Sequence, residues 1–133
     1  MKTALDILSQ AVAVKPIHLL IIGGHAMQIY GVIRQTLDVD VLLVDAPTFD
    51  HLHQNSREYS KDVTGLRMPA LQHLIALKLH ALKNAPARET KDLPDILELF
   101  KRNPSMLSEK ELTSLCERFG PAGIMKKIKQ WLP

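Results

Sequence analysis

A single cysteine, Cys116, among 133 residues rules out an internal disulfide. A chain without such staples is expected in a reducing compartment, the cytoplasm. Cys116 itself lies among the apolar positions of a late helical stretch and reads as core. Aromatic residues are scarce too, at 5%, so the core must be aliphatic, and an apolar content of 46% is enough to build one. Long apolar runs are missing. The first residues carry Asp6 in a short amphipathic pattern, with no basic start ahead of a long apolar stretch. Neither a membrane partner nor a signal peptide is therefore expected. A dense block of one charge is also lacking: the formal net charge of +3 admits an anionic partner such as a nucleotide or RNA without demanding one. Finally, His18, His25, His51, His53, His73 and His80 show no metal-binding spacing. His25 sits beside a glycine pair, where it could touch a phosphate, but is expected at the surface, as are His51 and His53 on a helix.

What is present divides into a mixed front and a helical back. "TALDILSQAVAV" has apolar residues at helical spacing, and "PIHLLIIGG" is a short β-branched run closed by glycines, hence a buried strand. "HAMQIYGVI" predicts a helix packed on it, "TLDVDVLLV" a second strand, "TFDHLHQNSREY" a helix and "VTGLRMP" a short strand. "PALQHLIALKLHALKN" is the strongest helical pattern, with Pro69 suited to a first turn. "NAPARETK" reads as a loop and "DLPDILELFKRN" as a helix stopped before Pro104. "SEKELTSLCERF" begins with Ser108 and Glu111 at capping-box spacing and ends at Gly120. "AGIMKKIKQWLP" closes with a basic helical turn or two. One domain over 1–133 is expected, with an α/β part over about 1–68 and a helical part over about 69–133.

Four features carry chemistry. The Gly23-Gly24 pair permits either a tight strand-to-helix turn or a phosphate cradle, in which backbone N–H groups approach an anion unobstructed by a Cβ. Asp38 and Asp40, two apart on a strand, leave the same face. They are either a solvent-facing strand end or a hard-oxygen pair for magnesium or manganese. Their apolar neighbours Leu37, Val39, Val41, Leu42 and Leu43 describe a strand that is largely buried. Lys78 falls in the middle of a stripe formed by Leu71, Leu74, Ile75, Ala81 and Leu82, with His73 and His80 opposite. A lysine there either snorkels outward or meets an anion. Asp92 and Asp95 read first as a helix start, with Asp92 as N-cap, Leu93 and Pro94 in the first turn and Asp95 at the third position.

Together these segments resemble the nucleotidyltransferase fold: Gly23-Gly24, thirteen residues, then Asp38-Val-Asp40. "RQTLDVD", with Arg34, Thr36, Asp38 and Asp40, resembles the bacterial AbiEii toxin family of toxin–antitoxin systems. "LIALKLHALKN" is similar to that family's lysine-bearing helix through Lys78, and "ARETKDLPDILEL" to its later basic–acidic motif through Arg88, Lys91, Asp92 and Asp95. The resemblance covers roughly residues 17 to 100. It implies an α/β (α+β) fold, a minimal mixed β-sheet with flanking helices and a helical C-terminal part. It also implies transfer of a nucleotide from an NTP to a hydroxyl of RNA, tRNA included, or of a protein. Gly23 and Gly24 would hold phosphate, and Asp38 and Asp40 the metal. Lys78 would act in catalysis and on phosphate, Arg88 and Lys91 on the nucleotide, and Arg34, Thr36, Asp92 and Asp95 would support the site. A cognate antitoxin is the implied protein partner. Between Asp40 and the Lys78 helix, however, no second strand of apolar–acid–apolar pattern follows, and Asp62 is the available substitute for a third acid. That feature belongs to the alternative: a nucleotidyltransferase-like module that binds a nucleotide or a protein partner as a regulator.

Overall fold

The computed structural model describes residues 4–14, 19–32, 45–60 and 63–133. The expected strand around Asp38 and Asp40, with Arg34 and Thr36 ahead of it, lies outside the described residues, as do Pro16–His18 of the first expected strand and Asp62. The chain forms two compact units, Met1–Ala70 and Leu71–Pro133. Together they make an α+β protein that is mostly helical, and the described sheet has two antiparallel strands. No described helix is long and apolar enough to cross a membrane.

In the first unit, α1 (Ala4–Val14) packs on β2 (Val63–Met68), which pairs antiparallel with β1 (Arg57–Ser60). Arg57 stands opposite Met68, Glu58 opposite Arg67 and Ser60 opposite Val63, so the register shifts between Glu58 and Ser60. The segment read as a first strand contributes one parallel bridge, Leu20 to Arg67, closed by Ile21 N–H donating to the Arg67 carbonyl at 2.7 Å. Ile21, Met27, Leu66 and Met68 are its best-buried large apolar residues. Tyr30 is buried with them, its hydroxyl donating to the Pro69 carbonyl at 2.9 Å while the Arg57 guanidinium lies 5.4 Å from its ring centre.

One expectation in this unit needs correction. The helix expected through Tyr59 ends at Gln54, because α3 spans Ala46–Gln54 and residues from Arg57 onward join the sheet. The Asn55 side-chain amide donates to the His51 carbonyl at 2.9 Å and the Ser56 hydroxyl to the His53 carbonyl at 2.6 Å, closing the helix with local bonds. Beyond them Tyr59 finds burial on the strand, while Arg57 and Glu58 stay exposed. At the other end of α3 stands Asp45. It is the N-cap of α3 and accepts from the Thr48 N–H at 2.8 Å, with Pro47 in the first turn.

In the second unit, α4 (Leu71–Asn84) packs on both α5 (Glu89–Arg102) and α6 (Glu109–Phe119), and α6 packs on α7 (Ile124–Lys129). The core is aliphatic: Leu71, Leu74, Ile75, Leu79 and Leu82 of α4 meet Ile96 and Leu99 of α5 and Leu112 of α6, all almost fully buried. The capping box of α6 is complete, with Ser108 Oγ accepting from Glu111 N–H at 3.1 Å and Glu111 Oε1 accepting from Ser108 N–H at 3.2 Å.

Here too the sequence expectation is corrected at one helix start. Residues 86–88 form a 3-10 turn that leads directly into α5 at Glu89, so "NAPARETK" is only partly a loop and Asp92 is not the N-cap. The helix extends four residues further toward its N-terminus than the Asp-Leu-Pro-Asp pattern, with Asp92 as its cap, suggests. The reason is that Asp92 and Asp95 are drawn into the interior by cations instead of capping amides at the surface. Pro94 consequently sits inside the helix, on its exposed side.

Candidate functional site: a buried two-cation, two-carboxylate cluster

The apolar stripe of α4 sets the site. Leu71, Leu74, Ile75 and Leu82 bury one face against α5 and α6, and Lys78 lies within that face by helical periodicity. Its side chain keeps 12% exposure, and its ammonium meets carboxylates contributed by α5. Lys78 Nζ donates to Asp95 Oδ2 at 2.9 Å and stands 3.8 Å from Asp92 Oδ1. Asp92 and Asp95, three apart, present their carboxylates on one face of α5. Arg88, at the end of the 3-10 turn, completes the group: its Nε donates to Asp92 Oδ2 at 2.8 Å and its Nη2 to Asp92 Oδ1 at 3.3 Å.

Burial makes this more than a surface salt bridge. Asp92 is fully buried and Asp95 nearly so, while Arg88 stays about half exposed. An unpaired carboxylate in that interior would cost several kcal/mol, so each acid has a cation within hydrogen-bond distance. Chemically, the cluster holds a lysine ammonium and a guanidinium, with an open side at Arg88 where an anionic group can compete for the guanidinium. It offers no vacant carboxylate to a metal ion, since both acids already bind cations. Among the described residues there is no group of three or more His, Cys, Asp or Glu that could hold a metal.

The sequence-derived residues divide as follows. Lys78, Arg88, Asp92 and Asp95 come together, whereas Lys91 stays exposed and takes no part in the cluster. In the first unit, Gly23 and Gly24 open α2 (Gly23–Ile29) directly after the extended Ile22. Gly23 has φ +71, a left-handed value that a side chain would disfavour, so this position requires glycine on backbone grounds alone. His25, expected at the surface, is partly covered, and its Nε2 is buried with no hydrogen-bond partner among the described residues. Asp38, Asp40, Arg34 and Thr36 lie outside the described residues.

Sequence reasoning missed the pair from Lys127 of α7 to Glu89 at the start of α5, 2.6 Å apart. No periodicity signals it, because it joins residues 38 positions apart on separate helices. Elsewhere, burial pushes the Cys116 thiol up to about 11, and the Glu117 charge adds to the effect. Tyr30 is likewise raised by burial, with Arg57 opposing. Comparison of the chain with protein-family models, with curated proteins and with solved structures gave no match.

Proposed function

We propose that the chain is a magnesium-dependent nucleotidyltransferase of the AbiEii-like kind, built on a minimal nucleotidyltransferase-like sheet. It moves a nucleotide from an NTP to a hydroxyl of RNA, tRNA included, or of a protein, and it is the toxin of a toxin–antitoxin pair. The observation that supports this reading is the convergence of Lys78, Arg88, Asp92 and Asp95. All four belong to motifs read from sequence as parts of one site, and they meet in one buried cluster although 17 positions separate Lys78 from Asp95.

In this reading Gly23 and Gly24 present backbone amides to the triphosphate. Lys78 supplies a positioned ammonium to a phosphate oxygen, and Arg88 adds a second cation from the open side, with Lys91 beyond it. Asp92 and Asp95 hold Lys78 and Arg88 in place before the nucleotide arrives, so less ordering is needed on binding. Arg34 and Thr36 support Asp38 and Asp40. Magnesium or manganese bound by Asp38 and Asp40 supplies charge stabilisation at the transferred phosphoryl group.

A second reading is favoured by a specific observation, namely that both α5 carboxylates are already neutralised by cations. In it the cluster is a structural joint between helices. The chain is then a nucleotidyltransferase-like module that binds nucleotide or a protein partner as a regulator.

Incubation with magnesium and labelled NTPs, alongside total RNA and protein acceptors, separates the two. Label transferred by the wild type and not by Asp38→Ala supports the enzyme. Nucleotide-dependent thermal stabilisation without transfer supports the binding module. Folded protein that neither transfers label nor binds nucleotide overturns both nucleotide readings.

A further inference from the structure

The second unit carries a small hollow of about 160 Å³. Leu82 of α4 and Ile124 of α7, both buried, form its floor, and Pro86, Pro121 and Ala122 stand nearer the surface as its walls. An aliphatic cavity of about 150 Å³ takes up one aromatic ring. The rim of the hollow is charged. There Lys127 and Glu89 form their 2.6 Å ion pair through Glu89 Oε1, and no described residue donates to Glu89 Oε2. The hollow therefore suits a ring that bears one N–H donor: aliphatic carbons for its faces, a carboxylate oxygen for the donor and an ammonium for the π system.

Trp131, the chain's one tryptophan, leaves its indole in water. The backbone keeps winding past α7, with Gln130 N–H donating to Lys127 O and Trp131 N–H to Ile128 O at 3.0 Å. Counted at 3.6 residues per turn through Lys129 and three per turn beyond it, Trp131 falls on the side of α7 that carries Ile124 and Ile128, away from Lys126 and Lys129. Ile124 also lines the hollow, so indole and hollow lie toward one side of the helix, roughly 10 Å apart along its axis. The indole nevertheless stays out of the hollow. It is 62% exposed, and its Nε1–H meets no acceptor among the described residues.

We infer that this end of the second unit is a homodimer surface, on which Trp131 of each copy fills the ring-sized hollow of the other. A patch that carries both a knob and its hole at a fixed offset is self-complementary, because a two-fold axis midway between them delivers each indole to the other copy's hollow. Charge agrees with this arrangement. The same two-fold operation sets Lys127 of one copy toward Glu89 of the other, so the two rim pairs meet with opposite charges facing. Two indoles and the walls they cover bury on the order of 600–1,000 Å². That is the low end for a specific interface, so the dimer is weak, with a Kd of roughly tens of micromolar. The surface is independent of the transfer reading, since assembly is read with neither NTP nor metal present.

Sedimentation velocity of the full chain from about 5 to about 500 μM brackets that constant. Trp131 emission is recorded over the same range and reports this surface directly, there being no other tryptophan. Expected is a passage from monomer to a closed dimer with no larger species, and a blue shift of Trp131 emission as the dimer forms. Trp131→Ala removes the knob and Ala122→Leu fills the hole, and each is expected to weaken association about tenfold or more. In Ala122→Leu the emission should stay that of an exposed indole at every concentration. Trp131→Phe keeps a ring and loses the N–H donor, so its loss should be smaller than that of Trp131→Ala. Lys126→Gln/Lys129→Gln, on the other side of α7, should dimerise as the wild type does. Far-UV circular dichroism checks that these substitutions leave the fold intact. A wild type that stays monomeric at the highest concentration overturns the proposal. So does a dimer that survives Trp131→Ala or Ala122→Leu, or assembly that grows past two copies.

Discussion

Lys78 of α4 and Asp95 of α5 are joined by a 2.9 Å charge-assisted hydrogen bond in an interior where the two side chains keep 12% and 5% exposure. Removing one partner of such a pair strands the other charge, which costs more than the pair is worth. Lys78→Met is therefore expected to destabilise the chain by about 3–5 kcal/mol, read from urea unfolding midpoints. In the double variant Lys78→Met/Asp95→Leu, Asp92 still has Arg88 and no charge is stranded, so most of the loss should be recovered. A single variant within about 1 kcal/mol of the wild type would show that the pair does not hold the helices together.

Arg88 and Arg102 provide a matched comparison. Each makes a salt bridge of 2.8 Å to an acid four residues away, but Asp92 has a side-chain exposure of 1% and Glu98 of 44%. Arg88→Gln should cost about 1–2 kcal/mol, because Asp92 loses a charged donor where water cannot replace it, although the exposed guanidinium and nearby Lys78 soften the loss. Arg102→Gln should change stability by less than about 0.5 kcal/mol. Equal effects in thermal unfolding would mean that burial is not what distinguishes the two pairs.

Two glycines in the α6–α7 connection should fail for different reasons. A Cβ on Gly120 would lie 2.9 Å from Ile124 Cγ2, 3.0 Å from the Cys116 carbonyl and 3.1 Å from Leu79 Cδ2. Gly120→Ala is thus an overpacking change of about 1–3 kcal/mol. At Gly123 the space is open but φ is +79, so Gly123→Ala should cost about 1–2 kcal/mol from backbone strain. Asparagine tolerates that conformation. Gly123→Asn should accordingly recover part of the loss, whereas Gly120→Asn should be worse than Gly120→Ala.

Cys116 is expected to be unreactive in the folded chain. Burial first, and Glu117 second, push its thiol up to about 11, so the folded state keeps the proton where the unfolded state releases it. The neutral thiol's contribution to stability is complete below the ordinary thiol range and fades as pH rises toward about 11. At about pH 8 iodoacetamide should label Cys116 slowly in buffer and quickly in urea. Rapid labelling of the native protein at that pH would contradict its burial.

Much of the fold was legible because it depends on local pattern. The 3.6-residue periodicity of α4 and the Ser108–Glu111 box of α6 act within a few residues, and both form as the sequence predicts. The Asp92 reading failed for the opposite reason. A short polar residue before Leu-Pro is a good local cap, and nothing nearby records that Lys78, fourteen positions earlier, will compete for its carboxylate. Arg57–Ser60 is similar, since its helix-compatible composition was overridden by pairing with β2.

The sequence by itself determined the aliphatic character of the core, the order of the helices and the central place of Lys78 on an apolar stripe. All three follow from composition and spacing. Only the tertiary structure decided what Lys78 meets. Charge pairing across α4 and α5 is a matter of distance in space: Asp92 and Asp95 turn inward to Lys78 and Arg88, whose charges offset the desolvation of the carboxylates, instead of capping a helix in water.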